Sequence, residues 1–120
     1  MELADEKCIA VTSESPSVTD AEMDQLRLQL TAWSLIVEDG MRKLRNEFKF
    51  NNFLQALVFA NKVAYLAETE GHYPMTIIQR GKVTLTWWTQ KLHSLHYNDF
   101  IMAAKTDRVY MATDLSKITG

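Results

Sequence analysis

The sequence Ala67-Glu68-Thr69-Glu70-Gly71-His72-Tyr73-Pro74 decides how this chain folds, because it ends one kind of element and begins another. Gly71 is the residue type that most readily ends a helix in a left-handed conformation. Pro74 cannot continue a helix and favours extended backbone in the residue before it. His72 and Tyr73 lie between these two residues. The stretch therefore predicts a helix-to-strand junction at which an imidazole and a phenol can converge on a ligand.

A long amphipathic helix leads into this junction, with Asn51 or Asn52 as its N-cap and Glu70 at its end. Its apolar residues recur at helical spacing on one face: Phe53, Ala56, Leu57, Ala60, Val63, Ala64 and Ala67. Phe59 and Tyr65 lie off this stripe. They indicate a second buried face, which makes both residues candidates for a subunit contact.

A β-hairpin precedes this helix in the chain. Its strands cover residues 33–37 and 42–50, and Asp39-Gly40 between them is a strong hairpin turn signal. Positions 43, 45, 47 and 49 are all charged, the period-two alternation of a strand with one face in water. The sequence thus predicts a hairpin whose even-numbered residues face the core.

A second hairpin follows the junction, with strands over residues 76–79 and 82–88 around Arg80-Gly81. Trp87 and Trp88 take opposite faces of its second strand, which is unusual for a sheet with one solvated side. Trp88 is either covered by the chain's own loop or arm, or part of a surface for a partner.

Two shorter helices complete the pattern. Thr19 and Glu22 form a capping box that opens a helix over residues 20–30, and a last helix covers residues 97–107. The element order is then α-β-β-α-β-β-α. Because short hairpins join antiparallel strands, we predict an α+β fold in which three helices pack on one face of a four-stranded antiparallel sheet.

The domain organisation follows from the same pattern. Residues 1–18 contain no periodic apolar set and are predicted to form a mobile N-terminal arm. Residues 19–110 are predicted to form a single domain, and residues 111–120 a flexible C-terminal tail. A chain of 120 residues is one domain's worth of sequence.

Composition excludes several classes of function. The net charge of −2 provides no excess of positive charge to neutralise phosphates, so nucleic acid is not expected as a partner. No apolar run is long enough to cross a bilayer, and no membrane association is expected. Cys8 is the only cysteine and cannot form an internal disulfide. With an acidic N-terminus unlike a targeting signal, these features predict a bacterial cytoplasmic protein.

Only three histidines, His72, His93 and His96, are available for acid/base chemistry. No metal-ligand spacing is present, so no metal and no cofactor are expected. His72 has two interpretations: a general acid or base, or a junction residue that caps helix carbonyls. Tyr73 is better suited to packing than to proton transfer, and His93 and His96 are expected to be solvated loop residues.

The run from Trp33 to about Asp107 resembles the pterin-4a-carbinolamine dehydratase family. The matching residues are Trp33, Phe48-Lys49-Phe50, Phe53, Ala56, Phe59, Val63-Ala64, Ala67-Glu68, His72, Pro74, Lys82-Val83, Leu85, Thr89, Leu95, Asp99 and Ala103. The resemblance implies the same α+β arrangement. It also implies a homodimer formed by pairing sheets edge to edge, with a tetramer formed through helices as the alternative.

The resemblance also defines a candidate site. Members that are enzymes carry a His-His-Pro signature and a third histidine at the end of the last strand, which bind the pterin and move protons as the carbinolamine hydroxyl leaves. Here His72 and Pro74 match this signature, whereas Tyr73 and Gln90 replace the second and third histidines. Glutamine cannot exchange a proton near neutral pH. His72, Tyr73, Pro74 and Gln90 are therefore interpreted as a vestigial pocket without catalytic residues.

By analogy with degenerate members of the family, we expect a non-catalytic assembly factor for Rubisco subunits in a carboxysome-bearing bacterium. It would act in the cytoplasm, with carboxysome association as the further expectation, through a surface that includes Phe59, Tyr65 or Trp88. One alternative is a weak or active 4a-hydroxytetrahydrobiopterin dehydratase that uses His72. A second is a dimerisation cofactor that binds a helical partner on the long helix.

Overall fold

The computed structural model describes residues 2–114, and its sheet and helices have the predicted order. The elements are α1 (Asp20–Leu26), β1 (Ser34–Glu38), β2 (Met41–Lys49), α2 (Phe53–Glu70), β3 (Met75–Gln79), β4 (Lys82–Trp87) and α3 (Tyr97–Ala112). Short 3-10 turns lie at Leu3–Asp5, Arg27–Gln29 and Gln90–Leu92. The strands form one antiparallel sheet in the order β1-β2-β4-β3, which confirms the α+β prediction.

Local sequence signals set the element ends. The Thr19 hydroxyl accepts a hydrogen bond from the amide of Glu22, whose side chain accepts one from the amide of Thr19, so the capping box begins α1 as predicted. Asp39 and Gly40 both have positive φ angles, 54° and 75°, as a tight two-residue hairpin turn requires. Asn52 caps α2 by accepting from the amide of Gln55 at 2.8 Å.

The core lies between the sheet and α2 and α3. Leu44 and Phe48 on β2 and Val83, Leu85 and Trp87 on β4 share one face of the sheet and are buried. Alternation along the strands therefore places the apolar set as predicted, because successive side chains of a strand point to opposite faces.

Phe59 belongs to this core and is not a surface residue. It is fully buried, and its ring centroid lies 4.8 Å from that of Phe48 and 5.5 Å from that of Tyr110. The expectation that Phe59 forms a subunit contact is corrected. The buried stripe of α2 is Ala56, Phe59, Ala60, Val63 and Ala67, rotated from the predicted stripe. The rotation brings the Phe59 ring onto the sheet and leaves Phe53 at the surface.

The N-terminal segment is docked in the structure, which corrects the expectation of a mobile arm for the described residues 2–18. Leu3 is buried in the core, and the turn Leu3–Asp5 packs against α3. Lys105 donates to the carbonyl oxygen of Ala4 at 3.0 Å. The segment ends in a further hydrogen bond from the amide of Val18 to the carbonyl oxygen of Leu95. The anchor is one buried apolar residue, Leu3, and one residue cannot form the periodic pattern from which a packed segment is predicted.

The C-terminal helix is longer than predicted. α3 continues to Ala112, beyond the predicted end at residue 107 and into the predicted tail of residues 111–120. Tyr110 explains the extension, because its ring packs on Phe48 and its hydroxyl donates to the carbonyl oxygen of Lys49 at 2.9 Å. Residues 115–120 of the predicted tail lie outside the described residues.

The sheet face opposite the helices has charged side chains lying over its strands. Lys43 was expected in solvent but is buried: its Nζ atom lies 4.0 Å from the centre of the Trp88 ring and 3.4 Å from Oε1 of Glu38. Trp88 is thus partly covered by a side chain of its own chain. Among the described residues, no helix has the length and apolar character needed to span a bilayer.

Candidate functional site

The helix-to-strand junction does not use the His72 ring to cap the end of α2. The amides of Gly71 and His72 both donate to the carbonyl oxygen of Ala67, at 2.8 and 3.3 Å. Gly71 closes the helix at a φ angle of 70°, where a side chain would be strained. Because the backbone itself satisfies the end of the helix, the imidazole is not needed as a carbonyl cap.

The His72 ring instead pairs with a buried carboxylate. Its Nε2 atom lies 2.6 Å from Oδ1 of Asp99, whose side chain has no exposed surface. The other carboxylate oxygen accepts from the Thr89 hydroxyl at 2.8 Å and from the amide of His96 at 2.9 Å. The His72 ring also stacks on Trp87, with centroids 5.9 Å apart and planes 12° apart. These contacts hold the ring and leave Nδ1 as the nitrogen that can exchange a proton with a ligand.

Asp99 is the functional residue that sequence reasoning missed as a partner. We expected His72 to lack a partner because Tyr73 and Gln90 are not histidines, and the structure corrects that expectation. Asp99 is separated from His72 by 27 positions, too far for any local pattern to connect them. Its position in the first turn of α3, where it forms a capping box with His96, offers a purely structural explanation for an acidic residue there.

A cavity of about 680 Å³ opens beside this pair. It is lined by Cys8, Ile9, Ala10, Val11, Glu70, Gly71, His72, Tyr73, Trp88, Thr89, Gln90, Lys91 and Asn98. The structure therefore brings His72, Tyr73, Gln90 and Trp88 to one place. Pro74 lies next to the cavity in sequence but is not among the residues that line it, and its role is to begin the extended backbone of β3.

Gln90 is held in a defined orientation at this cavity. The indole Nε1 of Trp88 donates to Oε1 of Gln90 at 3.0 Å. Because the amide oxygen is engaged, the amide NH₂ group is the end of the side chain left to donate to a ligand. Trp88 thus orients Gln90 and also lines the cavity itself.

The three residues expected to contact a partner occupy different environments. Tyr65 is 77% exposed on α2 beside Asn61, Ala64 and Glu68. Trp88 lines the cavity, and Phe59 is in the core. They do not form one surface.

The remaining histidines differ from each other. His93 is exposed, with a positive φ angle of 52° after the 3-10 turn at Gln90–Leu92. His96 is buried, which corrects the expectation of a solvated residue: its Nδ1 atom accepts from the amide of Asn98 at 2.9 Å and caps α3. Burial lowers the pKa of His96, and the neutral ring is the form that can accept this bond.

The Cys8 thiol is a further reactive group at the cavity. Burial, with the negative charge of Glu70 as a second cause, raises the pKa of the Cys8 thiol to about 12. A thiol with this pKa is a poor nucleophile near neutral pH. Within residues 2–114, no group of three or more His, Cys, Asp and Glu side chains is placed to hold a metal ion. Proton exchange at His72 is therefore the chemistry that the described side chains of the cavity support.

Sequence comparisons show which known proteins this chain is similar to. The family model described as pterin 4 alpha carbinolamine dehydratase matches residues 16–109. A Marinobacter nauticus protein named "Putative pterin-4-alpha-carbinolamine dehydratase" is 50% identical over 108 residues, 90% of this chain and 97% of that protein. A protein of the same name from Nitrosococcus oceani is 46% identical over 108 residues, 90% of this chain and 96% of that protein.

A solved structure supports the same assignment. The crystal structure of a transcriptional coactivator/pterin dehydratase from Brucella melitensis superposes with a TM-score of 0.72 at 26% sequence identity. The match covers 79% of this chain and 99% of the Brucella chain. With the family model spanning most of the sequence and relatives of near-equal length, this chain belongs to the pterin 4α-carbinolamine dehydratase family.

Proposed function

We propose that this protein binds a reduced pterin in the cavity beside His72 and dehydrates its 4a-carbinolamine. The observation that carries the proposal is the contact between Nε2 of His72 and Oδ1 of Asp99, which orients an imidazole at the cavity wall. A carboxylate that accepts from one ring nitrogen fixes the tautomer and leaves the other nitrogen for substrate. The His72–Asp99 pair weighs against the interpretation of the pocket as vestigial.

The reaction requires proton transfers and no external oxidant or reductant. The C4a–O bond breaks, N5 loses its proton, a C4a=N5 double bond forms, and water leaves. In its protonated form, His72 donates the Nδ1 proton to the departing hydroxyl. The neutral ring then accepts the proton from N5, so one imidazole serves as acid and then as base and returns to its starting state.

Tyr73 and Gln90 have binding roles in this proposal. The Tyr73 hydroxyl can donate or accept a hydrogen bond, and the Gln90 amide NH₂ can donate one. Neither replaces the proton exchange that a histidine offers. We therefore propose a slower dehydratase than members with three histidines, in which His72 carries the proton transfers.

The decisive experiment measures dehydration of enzymatically generated 4a-hydroxytetrahydropterin, with the uncatalysed reaction subtracted. We expect the wild-type protein to accelerate the reaction and His72→Ala to lose the acceleration. His93→Asn is the matched control, because it removes an exposed histidine and asparagine tolerates a positive φ angle. Equal rates with wild-type protein, His72→Ala and buffer would contradict the proposal.

The second candidate is the non-catalytic assembly factor for Rubisco, acting as a homodimer or tetramer in the cytoplasm or at the carboxysome. It is supported by the replacement of two expected histidines by Tyr73 and Gln90. The relatives reported above carry dehydratase names, so this candidate ranks second. Co-expression of Rubisco subunits with and without the protein tests it, and equal yields of assembled Rubisco would remove it.

The third candidate is a dimerisation cofactor for a helical protein partner. The name of the Brucella protein includes a transcriptional coactivator role, and Tyr65 offers an exposed aromatic on α2 of this chain. A pull-down with wild-type protein and Tyr65→Ala tests it. A helical partner captured by the wild type and lost with the variant would support this candidate, and the absence of such a partner would remove it.

A further inference from the structure

The N-terminal strap, defined as Cys8-Ile9-Ala10-Val11, lines the cavity and is held in place by the buried side-chain amide of Asn98. The amide of Ile9 donates to Oδ1 of Asn98 at 3.1 Å, and Nδ2 of Asn98 donates to the carbonyl oxygen of Ile9 at 2.7 Å. Asn98 is only 2% exposed. The side-chain oxygen and nitrogen of this buried asparagine both bond to the backbone of one residue. The two hydrogen bonds together determine where that residue lies.

Other elements around the cavity hold the two ends of the strap. The amide of Cys8 donates to Oε1 of Glu70, at the end of α2, at 2.9 Å. The Nζ atom of Lys91 donates to the carbonyl oxygen of Val11 at 3.3 Å. Side chains from α2, from the 3-10 turn after β4 and from α3 therefore converge on four consecutive residues of the strap.

The strap also has a built-in anchor outside the site. Leu3 is inserted into the core, and Nη1 of Arg108 lies 2.6 Å from Oδ1 of Asp5. Downstream, the amide of Val18 bonds to the carbonyl oxygen of Leu95 at 2.9 Å. Because both flanks of the strap are already attached to the rest of the protein, the strap loses less conformational entropy when a ligand orders it further.

The chemistry of the strap suits a planar heteroaromatic ligand. The apolar residues Ile9, Ala10 and Val11 line the cavity, and Ile9 is 67% exposed. Apolar residues that line a cavity can pack on the ring face of a pterin.

We propose that the N-terminal strap is a wall of the pterin site that contacts the bound ring, and that Asn98 is the residue that positions it. The inference rests on the proposed function, because it takes a pterin as the occupant of the cavity. It assigns to residues 8–11 a share of the binding energy and of the selection between pterins and other planar ligands. The proton transfers remain with His72, so the strap affects binding more than turnover.

Binding of 7,8-dihydropterin, measured by quenching of tryptophan fluorescence, tests the strap directly. Ile9→Ala removes an exposed side chain without a cost to the core, and we expect about 3- to 10-fold weaker binding. Leu28→Ala is the matched control, because Leu28 is 70% exposed in the turn at Arg27–Gln29 and does not line this cavity. The control is expected to bind within about twofold of the wild type.

Asn98→Ala tests the positioning role. Loss of two hydrogen bonds to the strap is expected to weaken dihydropterin binding about 10-fold or more. In the dehydration assay the same variant should raise KM, with kcat within about threefold of the wild type, whereas a general loss of structure would lower both. Amide hydrogen exchange of residues 8–11 should slow when dihydropterin is added to the wild type.

The outcomes separate the strap from the proposed function. Weaker binding in Ile9→Ala and Asn98→Ala, with Leu28→Ala unchanged, supports the strap. Wild-type binding retained in both strap variants overturns it and leaves the proposed function standing. A wild-type protein that binds no dihydropterin contradicts the proposed function itself.

Discussion

The imidazole of His72 and the carboxylate of Asp99 form a close pair at the wall of the cavity of about 680 Å³, with 2.6 Å between Nε2 and Oδ1. The carboxylate is fully buried, and Thr89 and the His96 backbone also donate to it. Three donors from three parts of the chain thus meet on one side chain. The arrangement resembles the orienting role of an acidic residue behind a catalytic histidine.

Replacing the Asp99 carboxylate should test whether it orients the His72 ring for proton transfer. We expect Asp99→Asn to lower kcat by at least about tenfold, because an amide can present a donor to Nε2 and favour the wrong tautomer of His72. The same change weakens a buried hydrogen-bond network and should lower the free energy of unfolding by about 1–3 kcal/mol. Activity measurements and chemical denaturation check the two effects. Thr89→Val removes one donor to Asp99 and should reproduce part of the stability loss, and unchanged activity in Asp99→Asn would refute the orienting role.

Restoring histidines should raise activity. The double variant Tyr73→His, Gln90→His supplies two further groups that exchange protons near neutral pH, and we expect dehydration to become about 10-fold or more faster. Both positions are exposed at the cavity, so the folded structure should tolerate the change. The dehydration assay compares the double variant with wild-type protein. A rate equal to that of the wild type would show that the missing histidines do not limit turnover.

The Cys8 thiol should react slowly. A pKa of about 12, raised from the reference value of 9.0, reduces the thiolate fraction at pH 8 by roughly three orders of magnitude. We expect alkylation by iodoacetamide to be at least about 100-fold slower in the native protein than after unfolding in guanidinium. Glu70→Gln should speed the native reaction, because it removes the negative charge that contributes to the shift. Equal rates in native and unfolded protein would show that Cys8 is not held in the strap as described.

Stability should fall on mild acidification because of His96. Its pKa is lowered in the folded state by burial, so the unfolded chain binds a proton more readily than the native one. The stabilising contribution of the neutral ring is complete above the unfolded pKa of about 6.5 and is lost as pH falls through the folded pKa. His96→Asn keeps an N-cap and removes the titration, so its stability should vary less between pH 7 and pH 5. Denaturation curves at several pH values test this, and identical pH dependence in the two proteins would contradict it.

Phe59 and Tyr65, both on α2, should respond differently to truncation. Phe59→Ala removes a fully buried ring and should cost about 3–5 kcal/mol of unfolding free energy. Tyr65→Ala changes a residue that is 77% exposed and should fall within about 0.5 kcal/mol of the wild type. Urea denaturation of both variants distinguishes a core residue from a surface residue. A small effect of Phe59→Ala would revive its interpretation as a contact residue.

The parts of the fold that the sequence predicts are those governed by local chemistry. Asn52 and Gly71 mark the ends of α2, and Asp39-Gly40 marks a hairpin turn, because each residue acts within a few positions of itself. Short antiparallel connections predict the pairs β1-β2 and β3-β4, whereas the pairing of β2 with β4 depends on how the two hairpins meet in the folded sheet. The fold class therefore depends on signals that are visible without tertiary structure.

The parts that the sequence does not predict depend on long-range contacts. Phe59 is buried because α2 is rotated so that the Phe59 ring packs on Phe48. The spacing of apolar residues along a helix does not determine which of two apolar faces packs against the sheet. Leu3 anchors the N-terminal segment as an isolated buried residue that belongs to no repeating apolar pattern. Asp99 meets His72 only when α3 is packed beside the end of α2, so His72 and its carboxylate partner could not be paired from sequence spacing.

The central claim is that His72, oriented by Asp99, transfers protons during dehydration of a pterin carbinolamine. The most direct test is the ratio of kcat/KM between wild-type protein and His72→Ala, with dihydropterin affinity measured on the same samples. The account predicts a fall of about 10²–10⁴-fold in kcat/KM, with a change in affinity of less than about 10-fold. A wild-type rate no higher than the uncatalysed reaction, or a His72→Ala variant as active as the wild type, would contradict it.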